Sequence, residues 1–563
     1  MSLAYTGNYN FEGLDARRAA SDGAIRDMTN MSRRFYPAMA SRTKRRVLDN
    51  TWGGVQGVYF GDRDIVARDN GLYDDGKFVC ALTSGEKQMA VLEDILYIFP
   101  DKIAYNTTDG TLRNYKAEVL SNLGVVSKFA AIDYKQRRIG EGDIFEIEYI
   151  ADDLILKVSD FDLMPFKGGE YVRITIKRIM IRGIWKDVNF ETVLYPDAIG
   201  RAYVGEGEDE KFCHYLEFPL GTFDEITEGG RGQYRIEVEI AHPIPDMDFV
   251  FASDNRLWGA KGRNMYASAL GQGMVWMNYD TLTTSSWAAT TRTGETITAA
   301  IDFGGMPIFF CESSVYKVYG ENPKEFQFAR AEIVGGSRGM HRSVAVGAGY
   351  IFYMTRRGIY AWTGGVPQMI SAPLGEERIT DAVGGSDGVV YYLSAKQGGR
   401  HNLYTFDPMT NVWMREDDAH AVYIGMRRGD LCMIDTSGVA WLIGDVYSTE
   451  GAEEHDIRYS METADYNDGA VVQKSAKNIL IQYELAHGSA DVLVSYDGEP
   501  WSVVYTLHET YGDKITSGIP LQAKMYRTMR IAIAGDGEII IYYMVRDVAA
   551  GTARPGGENN VYV

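Results

Sequence analysis

The stretch DNRLWGAKGRNMYASALGQGMVW, Asp254 to Trp276, decides the fold class. Its glycine-rich centre, Gly259 to Gly262, could be a loop that holds a phosphate or a turn between two strands. A phosphate-binding loop needs a helix N-terminus behind it, which supplies free amides and a favourable dipole. No helical pattern follows these glycines, and Trp258 and Tyr266 flank them on β-prone runs. We therefore predict a hairpin turn in an all-β protein.

Short strands separated by turn dipeptides recur along much of the chain. Residues 58–80, VYFGDRDIVARDNGLYDDGKFVC, contain three such turns, at Gly61-Asp62, Asn70-Gly71 and Asp75-Gly76. Between residues 246 and 448, units of about 25 to 45 residues repeat a strand, a glycine turn, an aromatic strand and another turn. This period is typical of propeller blades, and we predict about six to seven of them.

Two further regions have a different texture. Residues 125–245 contain longer strands, among them YVRITIKRIMI (171–181), whose side chains alternate as in a half-buried antiparallel strand. The predicted fold is therefore an all-β chain with a β-propeller (51–124 and 246–448) and an inserted β-sandwich domain (125–245). An N-terminal basic arm (1–50) precedes it, and a C-terminal β-sandwich with a flexible tail (449–563) follows it.

Composition limits the possible functions. The formal net charge of −20 disfavours sequence-specific DNA binding by the whole molecule. No apolar run approaches the roughly 18 residues that would span a bilayer, and the N-terminus lacks the pattern of a secretory signal. The four cysteines have no CxxC spacing, so we expect buried free thiols made in a reducing cytosol. They are Cys80, Cys213, Cys311 and Cys432.

A cluster of cations near the N-terminus is the main charge asymmetry. It could contact packaged DNA, bind an acidic neighbouring protein, or be a solvated connection. We favour the protein neighbour, because residues 28–42, MTNMSRRFYPAMASR, interleave Met and aromatic residues with Arg, as protein interfaces do. DNA contact by the arm alone stays open. The predicted interface residues are Arg17, Arg18, Arg33, Arg34, Tyr36, Arg42, Lys44, Arg45 and Arg46.

No motif predicts catalysis, a cofactor or a metal. GGSRG (335–339) matches the GxSxG pattern, but the β-prone sequence after Ser337 lacks the helix that a nucleophile elbow requires. The eight histidines show neither HxxxH nor HExxH spacing. YDGEPW (496–501) could be a sugar-stacking platform formed by Tyr496, Asp497 and Trp501, although such aromatics more often pack on their own sheet.

Several stretches together resemble the tail nozzle group of short-tailed bacteriophages, which comprises tail tubular protein B and the tail stabilisation proteins. They are EGLDARRAASDGAIRDMTNMSRRFYPAMASRTKRR (12–46), DNRLWGAKGRNMYASALG (254–271), ESSVYKVYGENPKEF (312–326), SRGMHRSVAVGAGYIFYMTRRGIYAWTGGVPQMIS (337–371) and MRIAIAGDGEIIIYYM (529–544). The similarity covers most of the chain except the insert.

The resemblance implies a non-enzymatic structural protein of the virion, synthesised in the host cytoplasm. It further implies a homohexameric ring below the portal and adaptor proteins, adjoining tail fibre or tip proteins, with DNA passing through the channel without sequence-specific binding and without membrane insertion. An acidic channel wall would let DNA slide without sticking. The alternative function is a receptor- or carbohydrate-binding β-protein at a tail tip.

Overall fold

The computed structural model describes residues 6–49, 52–128, 133–134, 137–138, 142–147, 166–167, 170–196, 198–204, 211–219, 221–227, 232–279, 282–292, 294–444, 454, 457–468 and 472–550. The chain divides into two compact units. The first unit comprises residues 1–81, 310–315 and 331–563, and the second comprises residues 82–309 and 316–330. The described residues are almost entirely strands and turns, which confirms the all-β class.

Five short strands open the chain. They are β1 (Thr6–Asn8), β2 (Ile25–Thr29), β3 (Met31–Ser32), β4 (Met39–Ser41) and β5 (Arg46–Asp49). β3 pairs with β4 in a short hairpin. The other four strands, β1, β2, β4 and β5, each pair with a strand from the far end of the sequence. The N-terminal strands are therefore integral members of the sheets of the first unit.

The next eight strands form two antiparallel four-stranded sheets. The first contains β6 (Val55–Phe60), β7 (Asp64–Arg68), β8 (Gly71–Asp74) and β9 (Lys77–Ala81); the second contains β10 (Gln88–Leu92), β11 (Ile95–Phe99), β12 (Ile103–Asn106) and β13 (Leu112–Asn114). The first and third turns of the first sheet fall at the predicted Gly61-Asp62 and Asp75-Gly76, whereas the middle turn is Asp69-Asn70, one residue before the predicted Asn70-Gly71. Asn70 and Asp75 adopt the left-handed conformation that such tight turns require.

The inserted region is built around one seven-stranded antiparallel sheet. In chain order its strands are β14 (Val119–Lys128), β17 (Gly142–Ile147), β18 (Val172–Ile181), β19 (Ile184–Leu194), β20 (Ala198–Val204), β21 (Lys211–Pro219) and β22 (Gly232–Ala241), and a small hairpin is formed by β15 (Asp133–Tyr134) and β16 (Arg137–Arg138). One short helix, α1 (Asp224–Thr227), contributes Ile226 to the buried face. The first side chains of β18 alternate between buried and partly exposed positions, as predicted, and Val172, Ile174 and Ile176 are fully buried. Among its described residues, the strands of the insert therefore form one large sheet and one small hairpin.

Five more four-stranded antiparallel sheets follow the insert. Their strands are β23 (Phe249–Ser253), β24 (Arg256–Lys261), β25 (Asn264–Ala267) and β26 (Trp287–Thr290); β27 (Ile297–Asp302), β28 (Pro307–Cys311), β29 (Ser314–Tyr319) and β30 (Gln327–Glu332); β31 (Ala345–Gly347), β32 (Tyr350–Thr355), β33 (Gly358–Trp362) and β34 (Gln368–Met369); β35 (Thr380–Ser386), β36 (Tyr391–Gln397), β37 (Arg400–Asp407) and β38 (Val412–Arg415); and β39 (Ala421–Arg427), β40 (Asp430–Asp435) and β41 (Ala440–Ile443). The last sheet takes β5 as its fourth strand. The hairpin predicted at Gly259–Gly262 is confirmed, because Lys261 pairs with Asn264 across the turn.

Within each unit, neighbouring four-stranded sheets contact one another through their first strands. In the first unit β31 contacts β35, β35 contacts β39, and β39 contacts β6. In the second unit β10 contacts β23, and β23 contacts β27. This arrangement of first strands is the one expected of consecutive propeller blades.

The C-terminal region forms two further sheets. Its strands are β42 (Arg458–Thr463), β43 (Lys474–Ala486), β44 (Ser489–Tyr496), β45 (Ser502–His508), β46 (Ile515–Pro520), β47 (Met529–Asp536) and β48 (Glu538–Ala550). β2 joins the sheet of β42, β44, β45 and β47, while β1, β3 and β4 join the sheet of β43, β46 and β48. The predicted tail beyond residue 550 lies outside the described residues.

Alternate residues of the two C-terminal sheets share one apolar core. It contains Ile479 and Ile481 of β43 with Ile531 and Ile533 of β47. Three N-terminal methionines, Met28, Met31 and Met39, are fully buried in the same core. In the described residues, no helix is long and apolar enough to cross a membrane.

Candidate functional site

A polar cleft of about 900 Å³ lies in the first unit. The N-terminal segment (14–30) lines one side, and the β36–β37 turn lines another. Carboxylates outnumber guanidinium groups among the charged side chains that line it. These are Arg26, Asp27, Glu376, Glu377, Arg400, Arg415, Asp417 and Asp418.

Buried hydrogen bonds fix the base of the cleft. Gln397 donates from Nε2 to the carbonyl oxygens of Leu374 (2.9 Å) and Glu377 (3.2 Å), and accepts a hydrogen bond from the Tyr404 hydroxyl (2.8 Å). Burial raises the pKa of Tyr404 to about 12, so this hydroxyl keeps its proton at neutral pH. The β36–β37 hairpin therefore presents its turn to the cleft in one fixed orientation.

The outer part of the cleft offers groups of both charges to a ligand. Glu376, Glu377, Arg400 and Asp418 are exposed. Asp27 is instead paired with Arg415 at 2.7 Å. A ligand with many hydroxyl groups could accept and donate hydrogen bonds here without carrying a net charge.

Two histidines and an aspartate meet at the rim of this cleft. The Nε2 atoms of His401 and His420 lie 3.6 and 3.3 Å from Oδ2 of Asp381. The two imidazole rings stack, with centroids 3.5 Å apart and planes inclined by 17°. Burial and the neighbouring His420 ring lower the pKa of His401, which favours its neutral form.

Strand register explains why the sequence analysis missed this cluster. Thr380 pairs with Lys396, and Lys396 pairs with His401, so the residue next to Thr380 comes near His401 across three strands. The register of β35 shifts between Thr380 and Val383, and Asp381 in this irregular segment has a positive φ of 46°. Only the pairing of β35, β36 and β37 could have indicated the site, because the separations along the chain match no metal-binding motif.

The arm prediction needs correction for two of its residues. Arg42 and Arg45 are 4% and 6% exposed, and they bind carboxylates of the same chain. Arg45 contacts Glu416 at 2.8 Å and Asp417 at 2.6 Å, while Arg42 contacts Glu454 at 2.6 Å. Burial alone would raise the pKa of Asp417, but Arg45 and Arg42 outweigh it, so this pKa is lowered. These cations hold the N-terminal segment in place and are not available to a partner.

Most of the remaining arm residues are more accessible, but the Arg34 side chain is only 7% exposed. Arg18 and Lys44 are exposed, and Arg46 lies in β5 opposite Leu442. Arg17, at the surface, forms an ion pair with Asp15, and Arg33 forms one with Asp407. The Arg34 guanidinium lies 3.8 Å from the carboxylate of Glu538. The β3–β4 turn exposes Phe35 and Tyr36 by 41% and 39%. This turn is the part of the predicted interface that is free of the core.

The predicted sugar-stacking platform of Tyr496, Asp497 and Trp501 already contacts other residues of the C-terminal region. Oδ1 of Asp497 accepts hydrogen bonds from the backbone N–H groups of Arg527 and Thr528, both at 2.8 Å. The cations of Lys524 and Arg530 lie 5.3 and 5.2 Å from the ring centroids of Tyr496 and Trp501. The aspartate therefore stabilises a turn, and each aromatic ring has a cation over one face.

The GGSRG stretch is followed by a four-residue 3-10 helix, Met340–Ser343, which is shorter than the helix of a nucleophile elbow. Cys311 and Cys432 are buried, as predicted, whereas Cys80 is half-buried. Burial raises the pKa of Cys432 to about 12, which makes this thiol unreactive. The Cys213 side chain lies outside the described part of the chain.

No family model matches the sequence, and no curated protein does. Among solved structures, an exo-β-1,3-galactanase from Phanerochaete chrysosporium matches with a TM-score of 0.20 and 8% identity, over 53% of this chain and 94% of that one. PorZ, a surface component of the type-IX secretion system of Porphyromonas gingivalis, matches with a TM-score of 0.26 and 10% identity, over 94% and 86%. At these TM-scores neither likeness supports a function for this chain.

Proposed function

We propose that this chain is a non-enzymatic binding protein that takes a neutral, polyhydroxylated ligand such as a saccharide in the polar cleft. The observation that carries the proposal is the cleft itself, whose size falls in the range of small-molecule sites. Its exposed lining offers carboxylates, a guanidinium and the amide of Asn402 within one concavity. The hydroxyl groups of such a ligand can donate hydrogen bonds to the carboxylates and accept them from the guanidinium and amide groups.

A glycan array probed with the full chain tests this proposal. The double variant Arg400→Ala/Asn402→Ala removes two cleft groups of β37, and Trp501→Ala is the matched change at the C-terminal platform. We expect binding to at least one glycan, weakened about tenfold or more by the double variant, which corresponds to about 1.4 kcal/mol. An array with no bound glycan contradicts the proposal. Loss of binding in Trp501→Ala alone would move the ligand site to the C-terminal sandwich.

A second candidate function is the structural role in a phage tail nozzle that the sequence resemblance implies. The exposed β3–β4 turn favours it, because Phe35 and Tyr36 stand beside Arg34, whose guanidinium lies 4.9 Å from the Phe35 ring centroid. Aromatic residues next to Arg are common at protein interfaces. In this role the four-stranded sheets are propeller blades, and copies of the chain form a ring below a portal and adaptor.

Light scattering of the purified chain, with and without high salt, tests the second candidate. We expect an assembly of several chains that the double variant Phe35→Ala/Tyr36→Ala reduces to monomers. Tyr511→Ala is the control, because Tyr511 is 86% exposed and far from this turn in the sequence. A wild-type chain that stays monomeric at every salt and protein concentration would count against the nozzle role.

A further inference from the structure

The cluster of Asp381, His401 and His420 has the composition of a metal site. Imidazole nitrogen and carboxylate oxygen are ligands that Zn²⁺ and related divalent metals use in proteins. One ligand atom from each residue lies within 4.8 Å of the other two. We propose that these three side chains bind one divalent transition-metal ion of the zinc class.

The distances in the cluster fit this proposal. In a tetrahedral zinc site with bonds of about 2.0–2.2 Å, neighbouring ligand atoms lie about 3.3–3.6 Å apart. The two contacts to Asp381 measure 3.3 and 3.6 Å. An ion placed between these three atoms would therefore reach each of them with little movement of the backbone.

One side chain has to turn when the metal binds. The lone pairs of parallel imidazole rings run side by side, whereas a tetrahedral ion needs them to converge. The side chains of His420 and Asp381 are 37% and 45% exposed, so both can reorient at the rim of the cleft. His401 is the fixed member, with a side chain that is 17% exposed.

The surroundings of His401 limit the expected affinity. Metal-binding histidines usually donate their second ring N–H to an acceptor, and loss of that partner costs about 10–100-fold in affinity. The buried Nδ1 atom of His401 has no hydrogen-bond partner among the described residues. We therefore expect weaker binding than in a fully supported structural zinc site.

Three protein ligands leave a coordination position open. His401 also lines the polar cleft, so this position belongs to the same concavity. A bound metal would present a water molecule or a ligand oxygen to the cleft. The metal proposal does not depend on the saccharide proposal, because the three ligands are complete without any cleft ligand.

Calorimetric titration of the full chain with Zn²⁺, after removal of metals by a chelator, tests the site. We expect one equivalent to bind, with affinity reduced at least tenfold in His420→Ala and in Asp381→Asn. The control is His487→Ala, because His487 also lies beside a carboxylate (Glu509, 3.9 Å) but is 89% exposed and outside the cluster. Unfolding midpoints of the variants show whether they remain folded.

Co²⁺ provides a second readout that a purely structural role of the cluster would not change. Four-coordinate Co²⁺ absorbs strongly in the visible range, whereas Co²⁺ on scattered surface carboxylates is nearly colourless. We expect the visible band in the wild-type chain and in His487→Ala, and its loss in His420→Ala. Absence of the band in the wild type, or zinc binding that His420→Ala and Asp381→Asn leave unchanged, would overturn the proposal. The cluster would then be a carboxylate that bridges two imidazoles.

Discussion

Arg42 and Glu454, 412 positions apart in the sequence, form a two-point ion pair in which Nη1 meets Oε2 at 2.6 Å and Nη2 meets Oε1 at 2.8 Å. The same guanidinium reaches Asp417 at 3.4 Å. It therefore connects the N-terminal segment to two distant parts of the first unit. Burial alone would raise the pKa of Glu454, but its bonds to Arg42 outweigh burial and lower it.

Arg42→Ala should destabilise the protein by about 3–5 kcal/mol, because it leaves the carboxylate of Glu454 without its guanidinium partner in a largely buried network and removes one of the two guanidinium groups beside Asp417. The measurement is the urea midpoint of unfolding. Arg17→Ala is the control, since the Arg17 side chain is 53% exposed and its surface pair should contribute less than about 1 kcal/mol. Arg42→Lys should restore only part of the loss, because an ammonium cannot reproduce the two-point geometry. Equal midpoints for Arg42→Ala and Arg17→Ala would contradict the structural role of the network.

His242, in the second unit, should make stability depend on pH. Its Nε2 lies 2.8 Å from Oε2 of Glu118, and its ring packs against Tyr115 and Phe166, each with centroids 4.9 Å away. Burial, aided by Arg113 and opposed by Glu170 and Glu118, lowers the pKa of His242. The unfolded chain therefore takes up this proton at a higher pH than the folded chain does.

The direction of the pH dependence follows from the difference between the pKa of His242 in the folded and in the unfolded chain. Stability should be unaffected by this group above about pH 6.5, the unfolded pKa, and should fall as the pH drops from there through the lower folded pKa. The measurement is the thermal unfolding midpoint at several pH values. His242→Gln should flatten the profile in this window, while His487→Ala should follow the wild type. A wild-type midpoint that rises as the pH falls below about 6.5 would contradict the direction of the shift.

Two glycines of one hairpin should respond differently to alanine. A Cβ on Gly259 would lie 2.1 Å from Sδ of Met247 and 3.1 Å from the carbonyl oxygen of Phe249. A Cβ on Gly262 would meet nothing within 4 Å, but this residue has a φ of +59°.

We expect Gly259→Ala to cost about 1–3 kcal/mol from overpacking, and Gly262→Ala to cost about 1–2 kcal/mol from the left-handed backbone. Gly262→Asn separates the two causes, because Asn tolerates that backbone conformation and should recover much of the loss. The free energy of unfolding of each variant is the measurement. A cost for Gly262→Asn as large as that for Gly259→Ala would show that space, and not φ, limits the turn.

Local signals predicted much of the fold. Turn dipeptides such as Asp75-Gly76, whose two residues are both left-handed, encode their hairpins within a few residues, because that conformation is available to few residue types. Alternation in YVRITIKRIMI likewise predicted β18. Alternation does not specify how many sheets the insert forms, since one strand pattern serves a single sheet or a sandwich.

Those local signals could not predict which residues far apart in the sequence would contact one another. The sequence predicts a basic arm over residues 1–50, and it gives no sign of the acidic partners of Arg42 and Arg45, which lie about 370 to 410 positions away. His401 likewise became a neighbour of Asp381 only through the register of three strands, and His420 reaches them from the residue just before β39. Composition shows that such charges exist, but only the topology shows which of them meet.

The pairing of β5 with β41 has a consequence for synthesis. Residues 46–49 leave the ribosome long before their partner Ala440–Ile443, and β2 waits still longer for β42. At about 5–20 residues per second, roughly 400 intervening residues correspond to some 20–80 s. During that interval these apolar and cationic strands have no native partner on the nascent chain. The sheets that contain β2 and β5 can therefore be completed only after the last third of the polypeptide has begun to emerge.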